Sequence, residues 1–556
     1  MRKLFIILLG CTILLLAGYA GLRSYKEWKA NHMLALARQF LAKSNGRNAY
    51  LSLREALASN PQDVEATRLT ADVLEAARSP DALVWRGRVV ELNPKSVDDR
   101  LALVETAMLY HEYSVATHAL EGVPEEGKTS AKYHSMAGMV AVATGQLEVA
   151  KAEFQEASRL DPQDTSPLMN LSVLQIHGTN EAGVDKARIV LQDLSVNSTN
   201  ASLRCKALRE LVTDALRYKH EDSALALSGE LLLQTNSNFQ DKVLRLETLR
   251  EIHNPDFNAT MAAFETEAGT NSTDIYDLAT WQQTHQLAKE SLSWLQRLPA
   301  AARTNQPVMA LSAESCTILK DWPGLQRLLQ HQNWGGSEFI RHAFLARAFR
   351  GQDLIDSSKN EWEQALTEAN AQKMSRMMLL RFSMQWGWQN EAEDLLWTVV
   401  NQYPNEKWAG RVLGGILYAN GQTRSMLALY SQEVKAAPSD LDIKNNLAAT
   451  ALLLNAKEVN ADVLAHDVYT KVPTNSAYAS TYAFSLLMQK KPAQALTVIE
   501  QLKPAELEDP SVCGYYGIIL AANGDRAKAR KYLDLANKSR HLPEELKLFA
   551  AAGAGA

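Results

Sequence analysis

Residues Tyr133 to Pro162 read as an apolar helix, a glycine turn, a second apolar helix and a proline stop, and that order returns along most of the chain. Ala137-Gly138 supplies two small side chains where a neighbouring helix can approach. Gly145 closes the first helix, because glycine takes the left-handed C-terminal position without a Cβ clash. Ala150, Phe154 and Ala157 follow at spacings of four and three, which places them on one face of the second helix. Asp161-Pro162 then stops that helix: proline has no N–H to donate and disfavours helix in the residue before it.

The same template fits at Met33, Leu36, Ala37 and Phe40 with Ala49, Leu53, Ala56 and Pro61, and again up to Pro94. Leu103, Ala107, Ala116 and Leu120 make a degenerate unit. In the carboxy-terminal half it fits at Leu345, Ala346, Phe349, Trp362 and Ala365, then from Leu379 and Gly387 to Pro404. The units to Pro438, Pro473 and Leu502 follow, and the last holds Tyr516, Gly517, Gly524, Ala529 and Leu533; Pro438 stands 34 residues after Pro404. From Thr179 to Gln306 helical periodicity persists (Ala207, Leu211, Ala215, Ala224, Leu231) with few proline stops. His253-Asn254-Pro255 and Gly269-Thr270-Asn271-Ser272-Thr273 read as loops, and a bend between two sub-arrays is expected near residues 255–275.

At 556 residues the chain is too long for one ordinary core, and in-phase repetition favours an array over a set of unrelated domains. Small and large positions in this order resemble the tetratricopeptide repeat (TPR) family over most of residues 31–540. The expectation is therefore all-α: an α-solenoid superhelix of antiparallel helix pairs. The organisation expected is residues 31–178 as an N-terminal array, 179–306 as divergent helical repeats and 307–540 as a C-terminal array. Residues 541–556 are expected to be a capping helix, Glu544 to Phe549, and an alanine-glycine tail.

Ahead of the array, Arg2 and Lys3 precede an uncharged run from Leu4 to Leu22. Its length, at about 1.5 Å per residue, nearly matches a hydrocarbon core of roughly 30 Å. The run predicts a single transmembrane anchor over residues 4–22, with 1–3 as a cytoplasmic tail. Gly18-Tyr19-Ala20 offers a competing signal-peptidase site. Leu8-Leu9-Gly10-Cys11 resembles a lipoprotein box but sits too close to the terminus. Cations flank both ends, so orientation follows from the short tail: the large domain is expected outside the inner membrane.

Chemistry is absent from the motifs. The four cysteines, Cys11, Cys205, Cys316 and Cys513, form no CxxC pair. There is no phosphate loop, HExxH or GxSxG, and His111, His118, His134 and His177 read as surface or core residues. No catalytic residue, metal or cofactor is expected, and a net charge of −5 gives no reason to expect nucleic acid. The carboxylate clamp of some TPR domains is matched only by the fragment Asn445-Asn446. The paired CxxC motifs of membrane-anchored TPR proteins of lipopolysaccharide regulation are lacking.

What remains is a groove. The resemblance implies that first-helix residues line a concave face, and carrying its groove positions over points to Arg347, Arg350, Met374, Met377, Arg381, Met384, Trp408, Arg411 and Tyr418. Arginine offers a planar fork for carboxylates, methionine an adaptable apolar surface and aromatics rigid contact area. Nine of the eleven tryptophans lie between Trp281 and Trp408; Trp362 and Trp397 read as core. The expected function is a membrane-tethered scaffold that captures a protein or extended peptide in envelope assembly. The alternatives are a polysaccharide-secretion subunit contacting glycan or an outer-membrane channel, and an enzyme whose site is built from repeat side chains.

Overall fold

A computed structural model describes residues 2–554 except 371 and 405, with side chains from residue 21 onward. Helices succeed one another from Arg2–Ala42 to Pro543–Ala554, and no strand occurs among the described residues. Within each unit most helices pack against the next as hairpins, and several first helices of successive pairs also touch, as in a helical-repeat solenoid.

The opening repeat shows why. Ser130 caps the first helix, Ala131–Ala143, by accepting a hydrogen bond from the Tyr133 N–H at 3.2 Å. Gly145 turns the chain at φ +77°, and the second helix, Leu147–Leu160, buries Ala150, Phe154 and Ala157. Phe154 is 1% exposed because Gly138 makes room for it: a Cβ there would lie 2.6 Å from the Phe154 ring. Burial of such a ring contributes about 1.5–3 kcal/mol.

A left-handed residue recurs at this turn with the period of the repeat. It is found at Ser44, Arg78, His111 and Gly145, then at Lys219, His253, Gln286, Lys320, Asp353, Gly387, Gly421, Asn455, Lys490 and Gly524. Successive members of each run stand 33 to 35 residues apart. Glycine occupies only four of these positions, so a glycine search misses the rest. Between the two runs lie two 17-residue helices, Glu181–Asn197 and Ala201–Arg217, which shift the phase. From Lys219 onward the segment expected as divergent keeps the common period.

By internal contacts the chain divides into two compact units, Met1–Trp281 and Gln282–Ala556. The first is laced by buried carboxylates between consecutive first helices. Asp99, 4% exposed, accepts from Arg68 Nε and Nη2 at 2.7 and 2.8 Å. Asp241, 1% exposed, accepts likewise from Arg209 at 2.5 and 2.9 Å and completes a capping box with Asn238. The second unit holds a core rich in aromatic rings, with Trp362, Phe344 and Phe382 buried.

The predicted anchor over residues 4–22 falls almost wholly on residues whose side chains lie outside those described, as does Cys11. Among the described residues no helix is long and apolar enough to cross a membrane. At the other end the final helix is longer than expected, Pro543–Ala554, and includes the first alanines and glycine of the tail.

Candidate functional site

The groove residues all lie in the second unit, on the first helices Glu338–Gly351, Lys373–Gln385 and Lys407–Ala419. Three first helices in a row carry a charged residue at the same repeat position: Glu314 on Val308–Ile318, then Arg347, then Arg381. Glu314 is the residue that the sequence reading missed. It stands one repeat upstream of Arg347, and that offset is the signal that would have found it.

Arg347 sits in a nest of indoles. Its guanidinium carbon is 5.1 Å from the Trp322 ring centroid, 5.7 Å from Trp386 and 5.8 Å from Trp388. Gly351 lets Trp322 lie there, since a Cβ at that position would be 2.4 Å from the indole. Trp386 is held by stacking on Phe382 at 5.1 Å, and Trp388 by an edge contact with Trp362 at 5.3 Å.

The polar atoms of this nest are unevenly satisfied. Arg350 pairs through Nη2 with Glu391 and lies 3.7 Å over the Trp388 ring. By contrast, Arg347 Nε and the indole nitrogens Nε1 of Trp386 and Trp388 are buried with no hydrogen-bond partner. Such atoms are uncommon in native interiors, because each loses its water without replacement. Burial, then the nearby charge of Arg350, pushes the Arg347 guanidinium below its usual value, with Glu314 opposing. An arginine nevertheless stays protonated. Glu314 accepts from Gln385 Nε2 at 3.2 Å; burial raises its pKa, against the pull of that bond and of Arg381 and Arg347.

The other predicted residues separate into three groups. Met377 packs against the core of the unit. Arg381, Met384 and Arg411 are exposed, as are Met374 and Trp408, whose Nε1 donates to Glu406 at 2.8 Å. Tyr418 is engaged within the chain: its hydroxyl donates to the Arg540 carbonyl at 2.8 Å, and burial pushes its pKa up to about 12.

The histidines do not gather. His118 is exposed, His134 Nδ1 meets Glu153 at 2.6 Å and His177 Nε2 meets Glu210 at 2.9 Å. His342 and Glu361 repeat the His134–Glu153 contact at 2.6 Å, so this is a structural pair of the repeat. Among the described residues no group of His, Cys, Asp or Glu is placed to hold a metal ion. Cys205, Cys316 and Cys513 are buried thiols, and burial pushes Cys316 up to about 11. At such a value the nucleophilic thiolate is scarce at neutral pH.

Fold and site together define an all-α repeat solenoid whose helix pairs resemble tetratricopeptide units and whose second unit carries an arginine–tryptophan nest on its first helices. No protein-family model and no curated protein matches the sequence. Solved structures similar to it include one from the functional characterization of Pseudomonas aeruginosa PilF, at 15% identity and a TM-score of 0.32, covering 40% of this chain and 99% of that one. Another is in the APC/C hetero-tetramer Cut9–Hcn1, at 12% identity and a TM-score of 0.30, covering 83% of this chain and 98% of that one. A third is in Naa15/Naa10 bound to HypK-THB, at 11% identity and a TM-score of 0.29, covering 96% and 95%. At this level of superposition they add nothing to what the helix pairs themselves show.

Proposed function

We propose that the chain is a non-enzymatic interaction scaffold that binds an extended, carboxylate-bearing peptide segment of a partner protein across the first helices around Arg347. The observation behind this reading is the unpartnered Arg347 Nε beside two unpartnered indole N–H groups. Once the rings that bury them part, these three donors suit a carboxylate, which accepts several hydrogen bonds and gains from low local dielectric. Exposed Arg381 and Arg411 extend the positive surface, and exposed Met374 and Met384 suit apolar flanking residues.

The scaffold is tethered to the inner membrane through Leu4–Leu22, with the array on the extracytoplasmic side, in an envelope assembly. Support comes from the apolar run and its flanking cations. Leu22 at the end of the run and Tyr25 and Trp28 just after it are exposed on the helix and suit the polar–apolar boundary of a bilayer. A reporter fused after Ala556 that works only in the periplasm supports this orientation; one that works only in the cytoplasm refutes it.

Glycan binding would call for a row of free aromatic faces, whereas Trp322, Trp386 and Trp388 are occupied by arginine. The deciding experiment is anisotropy with fluorescent peptides that differ only in Glu or Gln at one position. The acidic members bind the full-length chain at least tenfold tighter, and Arg347→Glu with Arg381→Glu and Arg411→Glu removes the preference. Equal binding of acid and amide, or recovery of the partner unchanged by the triple reversal, sinks the site.

A further inference from the structure

Glu314 puts an acid into a row of bases. It occupies on Val308–Ile318 the repeat position that Arg347 and Arg381 occupy on the next two first helices. One repeat further on the same position is Gly415, where a Cβ would meet nothing within 4 Å. Along these four helices the position reads acid, base, base, glycine.

Glu314 faces the arginines. Its carboxylate accepts from Gln385 Nε2 at 3.2 Å, and Gln385 belongs to Lys373–Gln385, two first helices away. Burial raises its pKa, and Gln385, Arg381 and Arg347 pull against that burial. Among the described residues Gln385 is its one hydrogen-bond donor. A carboxylate has room for about four, so most of its acceptor capacity is unspent.

Such an acid changes what the arginine site accepts. A bare carboxylate beside Arg347 also enters the field of Glu314, and like charges in a site of low dielectric repel. A ligand that brings a cation with its carboxylate satisfies both. The stem of that cation has a place to lie: Ile318, four residues on and so on the same face of the helix, is 43% exposed. Lysine and arginine lay their methylenes along apolar surface of this kind while the head group reaches a partner.

We infer, resting on the site proposed around Arg347, that Glu314 sets its specificity by selecting a segment whose carboxylate is accompanied by lysine or arginine within a few residues. Glu314 attracts the cation and penalises a carboxylate that arrives alone. In an extended segment, residues two apart point the same way at about 7 Å. Packed helices stand about 8–10 Å apart, so a spacing of two suits an acid at Arg347 and a base at Glu314.

The test is anisotropy on the full-length chain. The fluorescent peptides hold one glutamate and, one to three residues to either side of it, lysine or its neutral analogue norleucine. The best lysine peptide binds at least fivefold tighter than its norleucine counterpart. Glu314→Gln, whose amide oxygen still accepts from Gln385, brings that ratio to about one and binds the norleucine peptide tighter than the parent does. A ratio near one at every position on the parent overturns the inference, and so does a ratio that Glu314→Gln leaves unchanged. Exchanging the glutamate of the same peptides for glutamine tests the arginines separately. Equal binding of acid and amide sinks the Arg347 site and, with it, the pairing of acid and base. Loss of the lysine preference alone leaves that site standing and removes only the role of Glu314. If no peptide binds, both fall.

Discussion

The guanidinium of Arg350 lies 3.7 Å over the ring of Trp388 while its Nη2 is paired with Glu391, so this arginine is consumed by the fold. Its neighbour one turn earlier, Arg347, shares the same indole and has no such acid. Two arginines one turn apart thus have different surroundings and, on the reading proposed above, different roles. Arg350→Ala leaves Glu391 half-buried without its cation and is expected to cost about 2–4 kcal/mol, somewhat below the roughly 3–5 kcal/mol for breaking a fully buried pair because both side chains keep some solvent contact. Arg347→Ala removes a buried donor that has no partner along with its contacts to three indoles, and is expected to cost about 1–2 kcal/mol, less than Arg350→Ala. Denaturation followed by tryptophan fluorescence, which reports mainly on the second unit, checks both; equal losses would refute the division of roles.

Asp99 gives the first unit a pH dependence of defined sign. Burial works to raise its pKa, but hydrogen bonds from Arg68, Ser96 and Asn93 outweigh it and hold the carboxyl below its ordinary 3.8. A depressed acid stabilises the folded state above its unfolded pKa, and that contribution is lost as pH falls through the folded value. Unfolding midpoints are therefore expected to hold between pH 7 and about pH 5 and to fall below about pH 4. Asp99→Asn lowers the midpoint at pH 7 and flattens the acid limb; a variant with an unchanged acid limb would show that Asp99 is not responsible.

Glycine substitutions should have opposite signs at two kinds of position. Gly138→Ala drives a methyl into Phe154 and is expected to cost about 1–3 kcal/mol, the usual range for overpacking. Lys320 holds φ +55° at a repeat turn, a conformation that costs a residue with a Cβ about 1–2 kcal/mol. Lys320→Gly relieves that strain, less the greater chain entropy of glycine, and is expected to stabilise by about 0.5–1 kcal/mol. Thermal unfolding of the two variants beside the parent decides the matter.

Helix pairing was written in local chemistry. Gly138 beside Phe154, Ala150 and Ala157 on one face, and Asp161-Pro162 as a stop are properties of neighbouring residues, so the pattern betrays the hairpin before any folding is considered. The turn at Lys219, Lys320 or Asp353 was illegible for the same reason: a left-handed residue with a Cβ is imposed by the hairpin it closes and leaves no mark in its own identity. Groove positions could be counted out by period, which reached Arg347 and Arg381, but period says nothing about partners.

Partners are long-range facts. Glu391 reaches Arg350 from the following pair, Tyr418 is claimed by a carbonyl at Arg540, and Arg347 is left among three indoles from two distant segments. The spacing of small, apolar and helix-stopping residues was enough for a stack of paired helices, because each pair closes through contacts within about 34 residues. Which arginine is paired with an acid, which keeps an unpartnered nitrogen, and where the last helix comes to rest depend on side chains brought together from distant repeats, and only tertiary packing decides them.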